Sequence, residues 1–386
     1  MNLLILQPSV SGYEVLIDFS NKLVEASTSS SDHMAFQYIA NKNLALEDTL
    51  TDINKLTRRF NITHVFGFNA VYLNLMPQIE NQDLRYFGWL VDYPIYHTSR
   101  LDSGYPSKNI FTSNPQHSHF IHAMTQSTYA GPMHLGVSEI AQGKSYPMHL
   151  RPFDVVFIGS WMNLPEKPWE ESSDELVKKL TQQALDILLS DDSADAFLVL
   201  DKKFKHYGID LTQNTSLMNT LVRFLDMYMR KYLRLKMMRS IVQSGLKTLI
   251  VGTGWSDHFS GDHLYFHDPV DNHLIGEIYK NCKIAICLNS NNGGCERAYQ
   301  AIASGCGVFS FGGLPIERMA QENQGIRVVA SHTAETHIAA QLIHWRNQII
   351  EDTKVQPDPD AFLAQHSWQQ VAKRLTMAMN EPVLIE

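Results

Sequence analysis

Residues 283–313 read KIAICLNSNNGGCERAYQAIASGCGVFSFGG. The run Lys283–Leu288 is short, apolar and partly β-branched, which predicts a buried strand. Asn289, Ser290, Asn291, Asn292, Gly293 and Gly294 follow, residues that tolerate unusual backbone angles or cap helices. Cys295–Ser304 predicts a short helix. Its Ala298, Ala301 and Ile302, with Gly305 beyond, recur at helical spacing and give a small apolar face to lay on a sheet. Gly305 suits the left-handed stop of that helix, and Gly307–Phe311 predicts the next strand. Strand, helix and strand within about thirty residues form a right-handed crossover of a parallel sheet, so the expected class is α/β.

The chemistry of this stretch lies in its loop. A glycine pair at a helix start leaves backbone N–H groups unpaired, with the positive end of the helix dipole behind them. A Gly-Gly pair by itself is an ordinary turn. The order strand, Asn/Gly loop, polar-faced helix, glycine, strand points instead to an anion site at Asn292, Gly293, Gly294 and Cys295, with Glu296, Arg297 and Gln300 on the exposed helical face.

The rest of the chain suits this reading. At 386 residues it is long for one core and predicts two domains, residues 1–150 and 151–365, with a terminal helix over 366–386. An apolar fraction of 44% and a charged fraction of 19% are those of a globular enzyme. A net charge of −8 argues against a generic nucleic-acid or acidic-membrane binder. No apolar run reaches the roughly twenty residues needed to span a bilayer, and Met1–Val10 reads as a first strand rather than a signal peptide. Cys282, Cys287, Cys295 and Cys306 lack metal-ligand spacing and read as small buried residues of a reducing compartment, the cytoplasm.

Further candidates come from other strand ends. Arg85–Leu90 is apolar and runs into Asp92, Tyr93, Pro94 and His97, which puts a carboxylate where ligands of open α/β sheets gather. The plainer alternative makes Asp92 a turn cap and His97 a local hydrogen-bonder. Asp154–Gly159 is a strand ending at Gly159 and Ser160, and Lys247–Val251 runs into Gly252, Thr253, Gly254 and Trp255. The latter lacks the third glycine of a dinucleotide fingerprint. His117, His119 and His122 are not at the i, i+4 spacing of two ligands on one helix face, so no metal is expected. Asp191, Asp192 and Asp195 read as a solvated turn. Leu217–Ser244 predicts a long helix with basic residues Arg230, Lys231, Arg234, Lys236 and Arg239. These read as a solvated face around buried Leu and Met, or alternatively as a patch for an anionic acceptor or a peripheral membrane contact.

On these motifs the sequence resembles the group-1 glycosyltransferases of GT-B fold, nearest the bacterial spore-maturation-type (Cge-like) branch. Cys295, Arg297, Gln300, Ala301, Ala303 and Gly305 lie on that branch's small–x–Arg–x–x–Glu–Ala–x–Ala–x–Gly segment. Asp92, Pro94 and His97 match its first-domain motif, Met133–Gly136 its domain end, and Gly252, Gly254 and Trp255 its Val-x-Gly-x-Gly-Trp. The resemblance implies two Rossmann-like domains facing a cleft, with the terminal helix crossing back to the first. It implies a nucleotide-sugar donor, a UDP-sugar first among them, no further cofactor, no metal, and an unidentified acceptor. The donor would meet Gly159, Ser160, Gly252, Gly254, Trp255, Val270, Tyr279, the 292–295 loop, Glu296, Arg297 and Gln300. Asp92 or His97 would take the acceptor's proton. Gln300 departs from the family, which has a ribose-binding glutamate there, so restoring Glu is expected to keep or improve donor binding. The alternatives are an idle nucleotide-sugar sensor or scaffold, and an epimerase or hydrolase of the same fold.

Overall fold

The computed structural model describes residues 1–7, 14–28, 34–39, 45–137, 146–288 and 296–380. It divides into two compact units, Met1–Ser138 with Gln365–Glu386, and Glu139–Ala364. Each holds a six-stranded sheet whose described pairings are all parallel.

In the first unit the strands are β1 (Asn2–Gln7), β2 (Met34–Ile39), β3 (His64–Phe68), β4 (Arg85–Leu90), β5 (Lys108–Thr112) and β6 (Thr128–Pro132), ordered β2-β1-β3-β4-β5-β6. The interior strands are buried on both faces, which is why they read as nearly unbroken apolar runs. Strand β2 was not anticipated from sequence. It is the edge strand, and Met34 and Ile39 are exposed, so its residues show neither alternation nor a solid apolar run.

The terminal helix belongs to this unit. The helix expected over 366–386 is Trp368–Asn380, and it is preceded by a further helix, Pro359–His366, that was not anticipated from sequence; Ser367 between them bridges to Val137. Trp368, Val371, Leu375 and Met379 join the core that Leu16, Phe19 and Leu23 of the helix Glu14–Thr28 form with the sheet. Burying each such side chain is worth about 1.5–3 kcal/mol. Gly136 leaves room for the Trp368 ring, because a Cβ there would lie 2.6 Å from it. At the helix's other end Arg85 Nη1 donates to the Met379 carbonyl at 2.8 Å.

In the second unit the strands are β7 (Phe153–Ile158), β8 (Thr248–Val251), β9 (Leu264–His267), β10 (Cys282–Cys287), β11 (Gly307–Phe311) and β12 (Ile326–Val329), ordered β12-β11-β10-β7-β8-β9. Strand β7 comes first in the sequence of this unit and sits centrally, with later strands added on each side. That is the Rossmann order, and its topological switch point lies between β7 and β10, where such sheets open a crevice at the strands' carboxyl ends. The opposite end is sealed by charge. Asp154 accepts from Lys283 Nζ at 2.9 Å and Arg346 Nε at 3.0 Å. Burial alone would raise its carboxyl, but those two cations hold it below the usual range. Cys282, Cys287 and Cys306 are buried, and burial pushes the Cys306 thiol up to about 12.

Two local expectations are corrected. The Asp191–Asp195 turn is structural. Asp195 is buried and caps the helix Ala196–His206, while Asp192 Oδ2 accepts the Ser331 N–H at 2.8 Å. The basic residues of the helix Thr215–Ser244 form no continuous solvated band. Arg230 pairs with buried Asp226 at 2.8 Å, Lys231 with Glu166 at 3.5 Å and Arg239 with Glu335 at 3.6 Å. Buried Lys236 donates to the Ser331 carbonyl at 2.5 Å, and Arg234 to the Ser160 carbonyl at 3.0 Å. The helix packs against others of its unit along much of its length, so its cations are drawn into local ties.

Candidate functional site

The second unit assembles its candidate site at the switch point. The loop after β7 is held carbonyl by carbonyl. Arg297 Nη1 donates to the Ile158 carbonyl, Trp255 Nε1 to Gly159 O at 2.6 Å, and Arg234 Nη1 to Ser160 O at 3.0 Å. A Cβ placed on Gly159 would lie 3.4 Å from Arg234 Nη1 and 3.6 Å from Arg297 Nη1, so the two guanidiniums flank this one residue. Arg297 comes from the helix Glu296–Ala303, which follows β10, and its bond to the end of β7 spans the switch point. These two bonds hold the guanidiniums in place beside each other, and two like charges brought together favour an anion near them.

The loop after β8 is zipped to the first. Thr253 N–H donates to Ser160 Oγ at 3.2 Å and Trp161 N–H to Thr253 O at 2.9 Å. This close approach requires glycine at position 252. Its φ is +147°, and a Cβ would sit 2.5 Å from the Gly159 carbonyl oxygen. Gly254, at φ +82°, packs against Trp161. Trp255 is 1% exposed and lies edge-on to Phe157 and Trp161, so it braces the loops from beneath. Tyr279, on the helix Ile275–Lys280, is likewise 1% exposed and supports rather than lines the surface. Val270 is half-buried in the connection after β9.

On the helix Glu296–Ala303, Gln300 Nε2 donates to Glu296 Oε1 at 3.0 Å and to Asn272 Oδ1 at 3.3 Å. Both amide hydrogens are thereby used within the unit, and one of them orients a carboxylate. Asn292, Gly293, Gly294 and Cys295 lie outside the described residues.

In the first unit Asp92 follows β4. Its side chain is 50% exposed, whereas that of His97 is 5% exposed, with Nε2 4.0 Å from Asp92 Oδ2. Asn69 Nδ2 donates to the same oxygen at 3.0 Å. Sequence reading did not name Asn69, and it placed Arg234 only in the basic band of its helix. Neither sits in a local motif, and each declares itself only through a partner that is distant in sequence.

No family model matches this sequence, and no curated protein does either. Solved structures do align over nearly all of it. Sucrose-phosphate synthase from Thermosynechococcus elongatus superposes with a TM-score of 0.56 at 8% identity, covering 98% of each chain. Anabaena HepE in complex with UDP and glucose gives 0.55 at 8% identity, over 99% of this chain and 100% of that one. AviGT4, a glycosyltransferase involved in avilamycin A biosynthesis, gives 0.54 at 8% identity, over 98% and 96%. At such identity the likeness shows the fold: this chain has the GT-B architecture found in glycosyltransferases.

Proposed function

We propose that the protein is a glycosyltransferase that takes a sugar from a nucleoside-diphosphate donor, a UDP-sugar in the first instance. The observation that carries this reading is the convergence of Arg234 and Arg297 on Gly159 at the switch point of the second sheet. A diphosphate is the leaving group of such a donor, and it gains negative charge as the glycosidic bond breaks. Preorganised guanidiniums stabilise that developing charge more than they stabilise the bound donor, which is the condition for catalysis. With the charge supplied by side chains, the reading calls for no metal. The structural neighbour HepE is seen with UDP-glucose, which supports a uridine donor here.

The acceptor hydroxyl must lose a proton. Asp92 is the better candidate of the pair because its carboxylate is half-exposed at a strand's carboxyl end, while the His97 ring is buried. His97 then backs the carboxylate from 4.0 Å. The test is release of UDP from UDP-glucose, with water or a panel of sugars as acceptor. Asp92→Asn is expected to lower turnover by about two to four powers of ten and to leave UDP affinity intact. Tight UDP binding by the wild type with no turnover on any acceptor would overturn the enzymatic reading in favour of a nucleotide-sugar sensor.

A further inference from the structure

The connection after β3 contains three non-glycine residues in left-handed conformation within four positions, Asn69 at φ +51°, Ala70 at +53° and Tyr72 at +57°. Asparagine tolerates this region, but alanine and tyrosine adopt it only under backbone strain. What holds the turn is visible at Asn69, which is 1% exposed. Its N–H donates to the Trp89 carbonyl at 2.8 Å, and its own carbonyl accepts from Arg100 Nη1 at 2.8 Å. The side-chain Oδ1 accepts the Val91 N–H at 3.0 Å, and Nδ2 donates to Asp92 Oδ2 at 3.0 Å. Backbone and side chain together therefore grip three consecutive features at the end of β4: the Trp89 carbonyl, the Val91 amide and the Asp92 carboxylate.

We infer that Asn69 is a positioning residue for the Asp92 carboxylate, and that the strained turn exists to present its amide to that group. The inference rests on the proposed role of Asp92 in taking the acceptor's proton. A half-exposed aspartate has several rotamers open to it in water, and a single fixed donor on one oxygen selects among them. The Val91 bond matters equally, since it fixes the backbone one residue before the carboxylate. Misplacement of a reacting group by about 1 Å costs as much as a hundredfold in rate. Arg100, bonded to the Asn69 carbonyl, extends the same support from the helix Thr98–Leu101.

The variant Asn69→Gly suits the left-handed backbone, so it removes the side chain without adding strain. Asn69→Asp keeps an acceptor for Val91 but sets a carboxylate oxygen against Asp92. UDP release from UDP-glucose at saturating donor, with water as acceptor, is expected to fall about 10- to 100-fold in both variants. UDP affinity by calorimetry should be unchanged in both. Combining Asn69→Gly with Asp92→Asn should be no slower than Asp92→Asn alone, because the amide acts only through the carboxylate. Unaltered turnover in Asn69→Gly, or losses that multiply in the double variant, would overturn the inference. A fall in UDP affinity parallel to the rate would also overturn it, by showing a general structural role. A wild type that neither binds UDP nor releases it from UDP-glucose refutes the donor reading itself, a result distinct from a loss confined to the Asn69 variants.

Discussion

Gln300 shows how much a single residue's reading changes once its partners are known. Resemblance suggested that glutamate at this position would be tolerated or welcome. The amide, however, donates to Glu296 Oε1 at 3.0 Å, so Gln300→Glu would set two carboxylates against each other on one helical turn. Donor affinity is expected to weaken by about two- to fivefold, measured by calorimetry with UDP. Tighter binding would mean that position 300 meets the ligand's hydroxyls directly. Glu296, Arg297 and Gln300 were legible because they share one face of a short helix, and local periodicity exposes that face. Arg234 was not legible. It is one of several cations on the helix Thr215–Ser244, and nothing local distinguishes the one bonded to Ser160 from those tied to Glu166 or Ser331. Asn69 is a lone asparagine after a strand until Asp92 is seen to be its partner.

Two elements carry predictions of their own. The paired loops after β7 and β8 depend on Gly252. Gly252→Ala must either clash with the Gly159 carbonyl or push the loops apart. We expect a loss of about 1–3 kcal/mol in stability, read by denaturant unfolding, together with weakened UDP binding. Wild-type values for both would show that the loops are not locked. The helix Trp368–Asn380 has a histidine near each end, His64 half-buried and His366 buried. Burial, reinforced by Arg85, lowers the His64 imidazole to about 4, and burial, reinforced by Arg374 and His134, lowers His366 likewise to about 4. The folded state thus binds these protons less readily than the unfolded chain, whose histidines titrate near 6.5. The stability these groups contribute is complete above about pH 6.5 and is lost as the pH falls towards 4. Melting temperature should drop across that window, and His64→Gln with His366→Gln should flatten the drop. An unchanged slope in the double variant would assign the acid sensitivity elsewhere. Elements were legible from sequence where burial was two-sided, as in β4, β10 and β11. They were missed where it was not, as in the edge strand β2. The helix Pro359–His366 was missed because its apolar residues, 361–364, are consecutive and give no helical spacing.

At the scale of the whole molecule, each unit is a separate parallel sheet, and both candidate sites sit at strands' carboxyl ends. Asp92 follows β4 in the first unit, and the paired guanidiniums follow β7 and β10 in the second. Among the described residues no helix is long and apolar enough to cross a membrane. This architecture was legible because alternating strands and helices leave few topologies open once crossovers are right-handed. The identity of the acceptor was not, since no motif in the first unit specifies one. If Arg234 and Arg297 clamp a diphosphate beside Gly159, calorimetric titration with UDP and with UMP distinguishes the two nucleotides. Wild-type protein should prefer UDP by about 10- to 150-fold, the worth of one or two charge-assisted hydrogen bonds to the added phosphate. In the variant carrying Arg234→Ala and Arg297→Ala that preference should shrink to within about threefold. A wild type that binds both nucleotides equally, or a double variant that keeps the full preference, would contradict the account.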